Sequence, residues 1–252
     1  MEYPLALEVE GLTLRGIAHK PEIRGKSHFP VVILFHGFTG NKLESNLMFV
    51  QFARELNKHG IGAVRFDFSG SGESDGYFAD MTFSKEVCEG EHILAFTETL
   101  DWVDTNQIML NGFSMGGAVA ALVAGKSPNK IKKLCLWSPA GNMNEKAELY
   151  FSQFRQLPNG NVDIGGFELG RGFLEDLKGR NLYEGITSYQ NQVIIIHGGD
   201  DQVVPPLIGE KYLEAYKEND VKFHVIEGAN HTYAAVGWKA ELFKRSIDFL
   251  AE

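Results

Sequence analysis

The stretch Gln107-Ile108-Met109-Leu110-Asn111-Gly112-Phe113-Ser114-Met115-Gly116-Gly117, followed by Ala118-Val119-Ala120-Ala121-Leu122-Val123-Ala124, decides the fold. An apolar, β-prone run enters a turn in which small residues flank one serine, and a helix of small residues leaves it. The pattern is Gly-x-Ser-x-Gly, the nucleophile elbow, in which a serine sits on a sharp strand-to-helix turn. A Cβ at position 112 or 116 would crowd the neighbouring strand and helix, so the glycines follow from the geometry. The helix aims its first N–H groups at the place where negative charge would develop, so one motif offers a nucleophile and part of an oxyanion hole.

A serine alone is a weak nucleophile; it needs a base in hydrogen-bond reach and a third group to orient that base. In this architecture the chain order is Ser, then Asp or Glu, then His. The run Val193-Ile194-Ile195-Ile196 leads into His197-Gly198-Gly199-Asp200-Asp201-Gln202, an acidic loop directly after a strand. The next run, Phe223-His224-Val225-Ile226, ends in Glu227-Gly228-Ala229-Asn230-His231. Loops that follow parallel strands gather at one sheet edge, where sites form. Ser114, His231 and one of the two acids, Asp200 or Asp201, are therefore expected to converge. Of the eight histidines, His231 is the base candidate. His197 is expected to bond locally at its strand end and His36 to hold the turn at Gly37. His19, His28, His59, His92 and His224 belong to no motif.

Composition limits the alternatives. The 252 residues, 44% of them hydrophobic, suit one α/β domain with room for an insertion, burying roughly 70–75% of the unfolded surface. The net charge of −9 would repel a polyanion, so nucleic acid is not an expected partner. The basic cluster Lys130-Ile131-Lys132-Lys133 reads as a solvated loop. The N-terminal residues carry no leader pattern, and no apolar run approaches the ~18 residues of a membrane span. A cytoplasmic protein without membrane insertion is expected. Cys88 and Cys135 lie in different elements and suggest neither a disulfide framework nor a zinc site. Gly70-x-Gly72 lacks the third glycine of a dinucleotide fingerprint, Asp75 standing in its place, and no metal or nucleotide motif is present, so no cofactor is expected.

Along the chain, Leu5 to Val9 and Leu12 to His19 read as a hairpin about Glu10-Gly11. Val31 to Phe35 reads as a strand buried on both faces. There follow a helix over 43–59 closed by Gly60, a strand over 63–68, a helix over 82–102, the elbow, and a strand over 134–137. After a gap come a strand over 193–197, a helix over 207–218, a strand over 222–226 and a helix over 238–250. Alternation of this kind implies a mostly parallel sheet with helices on both faces. The rhythm breaks between about 141 and 188, where glycine pairs mix with Tyr150, Phe151, Phe154, Phe167, Phe173 and Tyr183. So long a break points to a cap or lid insertion at 141–188, with 1–140 and 189–252 forming the core.

The chain resembles the α/β-hydrolase superfamily. The resemblance rests on four blocks in the expected order: His36-Gly37-Phe38-Thr39-Gly40, Asp67-Phe68-Ser69-Gly70-Ser71-Gly72-Glu73-Ser74, Gly112-Phe113-Ser114-Met115-Gly116-Gly117, and the pair His197-Gly198-x-x-Asp201 with Gly228-x-x-His231. It implies a central, mostly parallel sheet flanked by helices with a small cap insertion after the sixth strand. It implies Asp201 rather than Asp200 as the third triad member. It also implies the backbone N–H groups of Phe38 and Met115 as the oxyanion hole. Within the superfamily the chain is most similar to the small bacterial cinnamoyl/feruloyl esterases, which share the His-Gly-Phe-Thr-Gly block. In those esterases a polar cap residue, often an acid, contacts the phenolic hydroxyl. No aspartate stands here between Pro139 and Asp163, which leaves Glu145 as the nearest acid and the substrate-binding candidate.

The sequence reading is thus a serine carboxylic-ester hydrolase acting through an acyl-enzyme on hydroxycinnamate or other small esters. An acylglycerol lipase, a thioesterase and an aminoacyl peptidase are the rival activities, and a hydrolase-like ligand-binding protein is the rival outside enzymes. The expected partner is a small-molecule ester, and a homodimer is left open.

Overall fold

The computed structural model describes residues 1–252. The opening hairpin is β1 (Glu2–Val9) and β2 (Leu12–His19), paired antiparallel. Then follow β3 (Phe29–Phe35), α1 (Met48–Lys58), β4 (Gly62–Phe66), α2 (Phe83–Glu98), β5 (Val103–Phe113), α3 (Met115–Lys126) and β6 (Lys133–Trp137). The segment after β6 holds α4 (Met143–Gln153), a small antiparallel sheet of β7 (Arg155–Gln156), β8 (Val162–Ile164) and β9 (Phe167–Leu169), and α5 (Arg171–Leu177). The chain closes with β10 (Gln192–Gly198), α6 (Pro206–Ala215), β11 (Val221–Ile226) and α7 (Val236–Ala251).

Eight strands form the main sheet in the order β1-β2-β4-β3-β5-β6-β10-β11. From β4 to β11 every pairing is parallel; the hairpin joins antiparallel through β2. Because side chains alternate along a strand, the apolar run of β3 feeds two cores. Val31, Ile33 and Phe35 enter the core under α2, α3 and α6, and Val32 and Leu34 the core under α1 and α7. The strand order reverses at β3, with β4 on one side and β5 on the other, which is the place where open α/β sheets build sites beyond their carboxyl ends.

Three predicted helices are shorter than their apolar patterns, the one expected over 207–218 ending at Ala215. The helix expected over 43–59 starts at Met48, after a 3₁₀ turn at Ser45–Leu47. Glu44, Asn46 and Leu47 have φ of 57°, 54° and 56°, which no α-helix accommodates. The cause is local: the Glu44 carboxylate accepts the N–H groups of Gly37 (2.6 Å) and Ser45 (3.1 Å), so the first turn folds back on the β3 loop. The helix expected over 82–102 spans Phe83–Glu98, and Thr82 caps it by accepting the Lys85 N–H at 3.2 Å.

A buried polar knot fastens the loops after β3 and β4. Asp67 is fully buried; its carboxylate accepts the Lys42 N–H (2.6 Å), the Lys42 ammonium (2.5 Å) and the Glu73 N–H (2.9 Å). Gly72 passes so close, at φ +55°, that a Cβ there would land on that carboxylate. The Gly70-x-Gly72 block is therefore a wrapping loop.

A second buried acid lacks such support. Glu86 on α2 is 2% exposed and its Oε2 has no partner. Burial, and then the charge of Glu89, push its carboxyl well above the ordinary range. The folded state then holds a proton that the unfolded chain releases, so this site costs nothing at acid pH and costs more as pH rises from the usual carboxylate range toward the folded-state value. Glu86→Gln is expected to raise the melting temperature at pH 8, by roughly 2–4 °C for each kcal/mol recovered, with the gain vanishing near pH 4. Thermal unfolding of both proteins across that range checks it, and a gain that does not vary with pH would refute it.

Candidate active site

The carboxyl ends of β3, β5, β10 and β11 meet above the sheet. Register places Gly112 opposite Phe35 and Leu136, and Phe113 opposite Trp137. Ser114 then leaves the strand at φ 56°, ψ −121°, a strained conformation for a residue with a side chain. Its backbone is held from three directions: its N–H donates to Trp137 O (2.9 Å), and its carbonyl accepts from Gly117 (2.9 Å) and Ala140 (2.9 Å). A Cβ on Gly112 would strike the Gly116 carbonyl, and one on Gly116 the carbonyls of Phe35 and His36. Only glycine lets the three segments approach this closely.

The structure brings Ser114, His231 and Asp201 into one hydrogen-bonded chain. His231 Nε2 lies 2.9 Å from Ser114 Oγ, and His231 Nδ1 lies 2.7 Å from Asp201 Oδ2. The other oxygen of Asp201 accepts the N–H groups of Val203 (2.9 Å) and Val204 (2.8 Å). Burial pushes the Asp201 carboxyl up, but the His231 hydrogen bond and charge and the Val204 N–H outweigh it, so it sits below the ordinary range and stays ionised. An ionised Asp201 fixes the proton on Nδ1 and leaves Nε2 free to accept from serine. The Phe113 ring packs 4.9 Å from the imidazole. Asp200 is exposed and belongs to neither contact.

His197 and His36 take local roles. His197 Nε2 bonds the Val204 carbonyl at 2.8 Å, which shapes the loop carrying Asp201. His36 Nε2 accepts the Phe68 N–H (3.1 Å), so its Nδ1–H donates to Gly37 O (2.9 Å).

Met115 opens α3, so its N–H has no acceptor within the helix. The loop carrying Phe38 runs against Ser114, for a Cβ on Gly37 would stand 3.1 Å from Ser114 Cβ. The Phe38 N–H donates to no protein acceptor. Its ring stacks on Tyr150 (5.5 Å) and Phe173 (5.3 Å). Glu44, which sequence reasoning missed, anchors this loop through Gly37.

A cavity of about 370 Å³ opens over Ser114 and His231, within the range of small-ligand sites. The segment after β6 supplies one wall through Met143, Lys146, Tyr150, Phe154 and Ile164. Its aromatics divide: Tyr150 and Phe154 face the cavity, whereas Phe151 and Phe173 are buried in the core. Glu145 requires a correction. It is exposed on α4 and lines no part of the cavity. One residue is about 100° of helix rotation, and that rotation turns Lys146 inward instead. The spacing Met143, Lys146, Tyr150 (i, i+3, i+7) was the available signal for the inward face. A larger groove, about 640 Å³ between α1 and α7, contains none of these residues.

The Hydrolase_4 family model, described as serine aminopeptidase, S33, matches residues 26–161, more than half of the chain. The protein belongs to this family of α/β-hydrolases. The S33-family chain is similar to the solved structure of Est1E from Butyrivibrio proteoclasticus with ferulic acid bound (TM-score 0.85, 25% identity, covering 98% of this chain and 100% of that one). It is also 26% identical over 238 residues to the lysophosphatidylserine lipase ABHD12 of Gallus gallus, covering 83% of this chain and 55% of that protein. The thiohydrolase apmlB of Arthrinium phaeospermum matches at 28% over 133 residues, 52% of this chain and 41% of that protein. The chain spans about half or less of the length of these two curated relatives.

Two substitutions probe the geometry. Asp201→Asn keeps the shape but offers His231 the wrong partner, and should lower kcat toward any accepted ester by about 10³–10⁴ with an unchanged circular dichroism spectrum. Glu44→Ala frees the Gly37 N–H; it should cost kcat about tenfold or more, up to the ~10²–10³ of a lost oxyanion donor, with little change in KM. Steady-state kinetics of both variants checks this.

Proposed function

We propose that the protein is a serine carboxylic-ester hydrolase working through an acyl-enzyme. The observation that carries this is the continuous chain Asp201–His231–Ser114, with Ser114 and His231 lining a cavity. Ser114 Oγ attacks the ester carbonyl while His231 Nε2 takes its proton. The carbonyl oxygen, now negative, is received by the Phe38 and Met115 N–H groups. The tetrahedral adduct collapses, and His231 returns the proton to the departing alcohol. Water, losing a proton to the same nitrogen, attacks the acyl-serine, and the acid leaves with Ser114 restored. Asp201 holds the imidazole and stabilises its cation throughout.

The acyl group belongs beside Tyr150 and Phe154, under a cap formed by 141–188. Small esters, hydroxycinnamates among them, suit a cavity of this size, and the ferulic acid bound to Est1E supports that class. Aminopeptidase activity, which the family description names, is disfavoured here. A peptide's terminal ammonium would meet the Lys146 cation in the cavity, while Glu44 is already engaged with two backbone N–H groups.

The test is turnover of p-nitrophenyl acetate, butyrate and decanoate, methyl ferulate, an acyl thioester and an amino-acid p-nitroanilide, with Ser114→Ala as control. Short esters and methyl ferulate are expected to react and the variant to be inactive. Folded wild type that turns over nothing and takes no fluorophosphonate label would overturn the reading. Because the base must be neutral, log kcat/KM should fall with unit slope on acidification. Asp201, held ionised, adds no second slope above about pH 4; a pH–rate profile reports this directly.

A further inference from the structure

Lys146 stands out among the basic groups of the molecule. Lys126, Lys130, Lys217 and Lys244 pair with surface carboxylates, and buried Lys42 pairs with Asp67 and Glu73. Lys146 is half-buried and lines the cavity over Ser114 and His231, and its ammonium makes no hydrogen bond or ion pair. The acids near it are committed: Asp201 to His231, Val203 and Val204, and Glu44 to Gly37 and Ser45. An ammonium drawn partly out of water without a partner carries a free-energy cost. Burial draws its pKa below the usual lysine value, with Asp201 acting the other way. About half of the remaining wall is apolar or aromatic, Met143, Tyr150, Phe154 and Ile164 among it, and its other polar side chains away from Ser114 and His231 are Thr39, Glu44, Ser45 and Thr232. A wall with an apolar half, one unpaired cation and a single carboxylate, Glu44, already held by backbone N–H groups fits a ligand that is apolar along part of its length and anionic at one point.

We propose that Lys146 is a specificity-determining residue that receives a carboxylate carried by the ester substrate. The inference rests on the ester-hydrolase reading and sharpens it: the preferred ester is a monoanion whose carboxylate reaches Lys146 on the cavity wall. A charge-assisted hydrogen bond on this scale separates substrates by about ten- to a hundred-fold. The carboxylate could sit on the acyl or the alcohol side, and the two are separable by experiment. The bland reading, a lysine that merely snorkels past the rim, predicts no such preference.

The experiment compares kcat/KM for monoethyl glutarate (acid on the acyl side) and O-butyryl glycolate (acid on the alcohol side) with that for ethyl pentanoate, a neutral ester of similar length. Wild type is expected to prefer one of the anionic esters over the neutral one by about tenfold or more, through KM. Lys146→Met should bring that ratio to about one, Lys146→Glu should push it below one, and Lys146→Arg should retain it. The arginine variant guards against a loss that is merely structural. Wild type that takes ethyl pentanoate as well as either monoanion, or a ratio unmoved in Lys146→Met, overturns the inference while ester hydrolysis stands. If no ester reacts and Ser114 resists a fluorophosphonate, the underlying ester-hydrolase reading has failed and the inference with it.

Discussion

Ser114 sits at φ 56°, ψ −121°, in a conformation that a free chain would leave, and the packing around it is what keeps it there. The hydrogen bonds from Ser114 to Trp137, and to it from Gly117 and Ala140, tie the turn to β6, to its own helix and to the start of the segment that becomes one cavity wall. Strain of this kind costs of order 1–3 kcal/mol and persists only when the surroundings over-determine it. Two glycines without room for a Cβ, and the two apolar cores on either face of β5, supply that determination. The same turn puts Oγ at the sheet edge and sets the first N–H groups of α3 beside it, so the proposed nucleophile and the proposed oxyanion donor of Met115 belong to one local structure.

The other groups reach this point by independent routes. Asp201 and His231 ride on the loops after β10 and β11, which are adjacent and in parallel register, so a 2.7 Å contact between them needs no long-range adjustment. The loop that carries Phe38 needs more. It is fastened below by the Asp67–Lys42–Glu73 knot and in front by Glu44, whose carboxylate turns the chain back before α1 starts. In this arrangement charge is used twice: carboxylates hold backbone N–H groups in place, and the one cation of the cavity wall is left for whatever enters.

Much of this was legible in the chain itself. The glycines about Ser114, the apolar runs and the order of serine, acid and histidine each follow from a local requirement, so the sheet, its direction and the meeting of Ser114 and His231 with one of Asp200 and Asp201 are legible in the chain, while the choice of Asp201 comes from the resemblance alone. What could not be read depended on contacts between distant segments. The pattern over 43–59 is apolar at helical spacing, but the pull of Gly37 on Glu44 unwinds its first turn. Chemistry alone points to Glu145, whereas a helix presents residues by angle, and the angle set by Met143 and Ala147 against the core turns Lys146 inward. The aromatics of 141–188 could not be sorted either, since Tyr150 and Phe151 differ in role by one step of the same helix.

In the proposed reaction Ser114 becomes covalently acylated by an ester and His231 then delivers water to it. Acid-quenched mass spectrometry of wild type mixed for milliseconds with p-nitrophenyl butyrate tests this most directly, because a fast leaving group favours build-up of the intermediate. The account predicts a butyryl mass increment on the peptide bearing Ser114, matched by a stoichiometric burst of p-nitrophenol. Turnover without an adduct or burst, or an adduct on another residue, would contradict it.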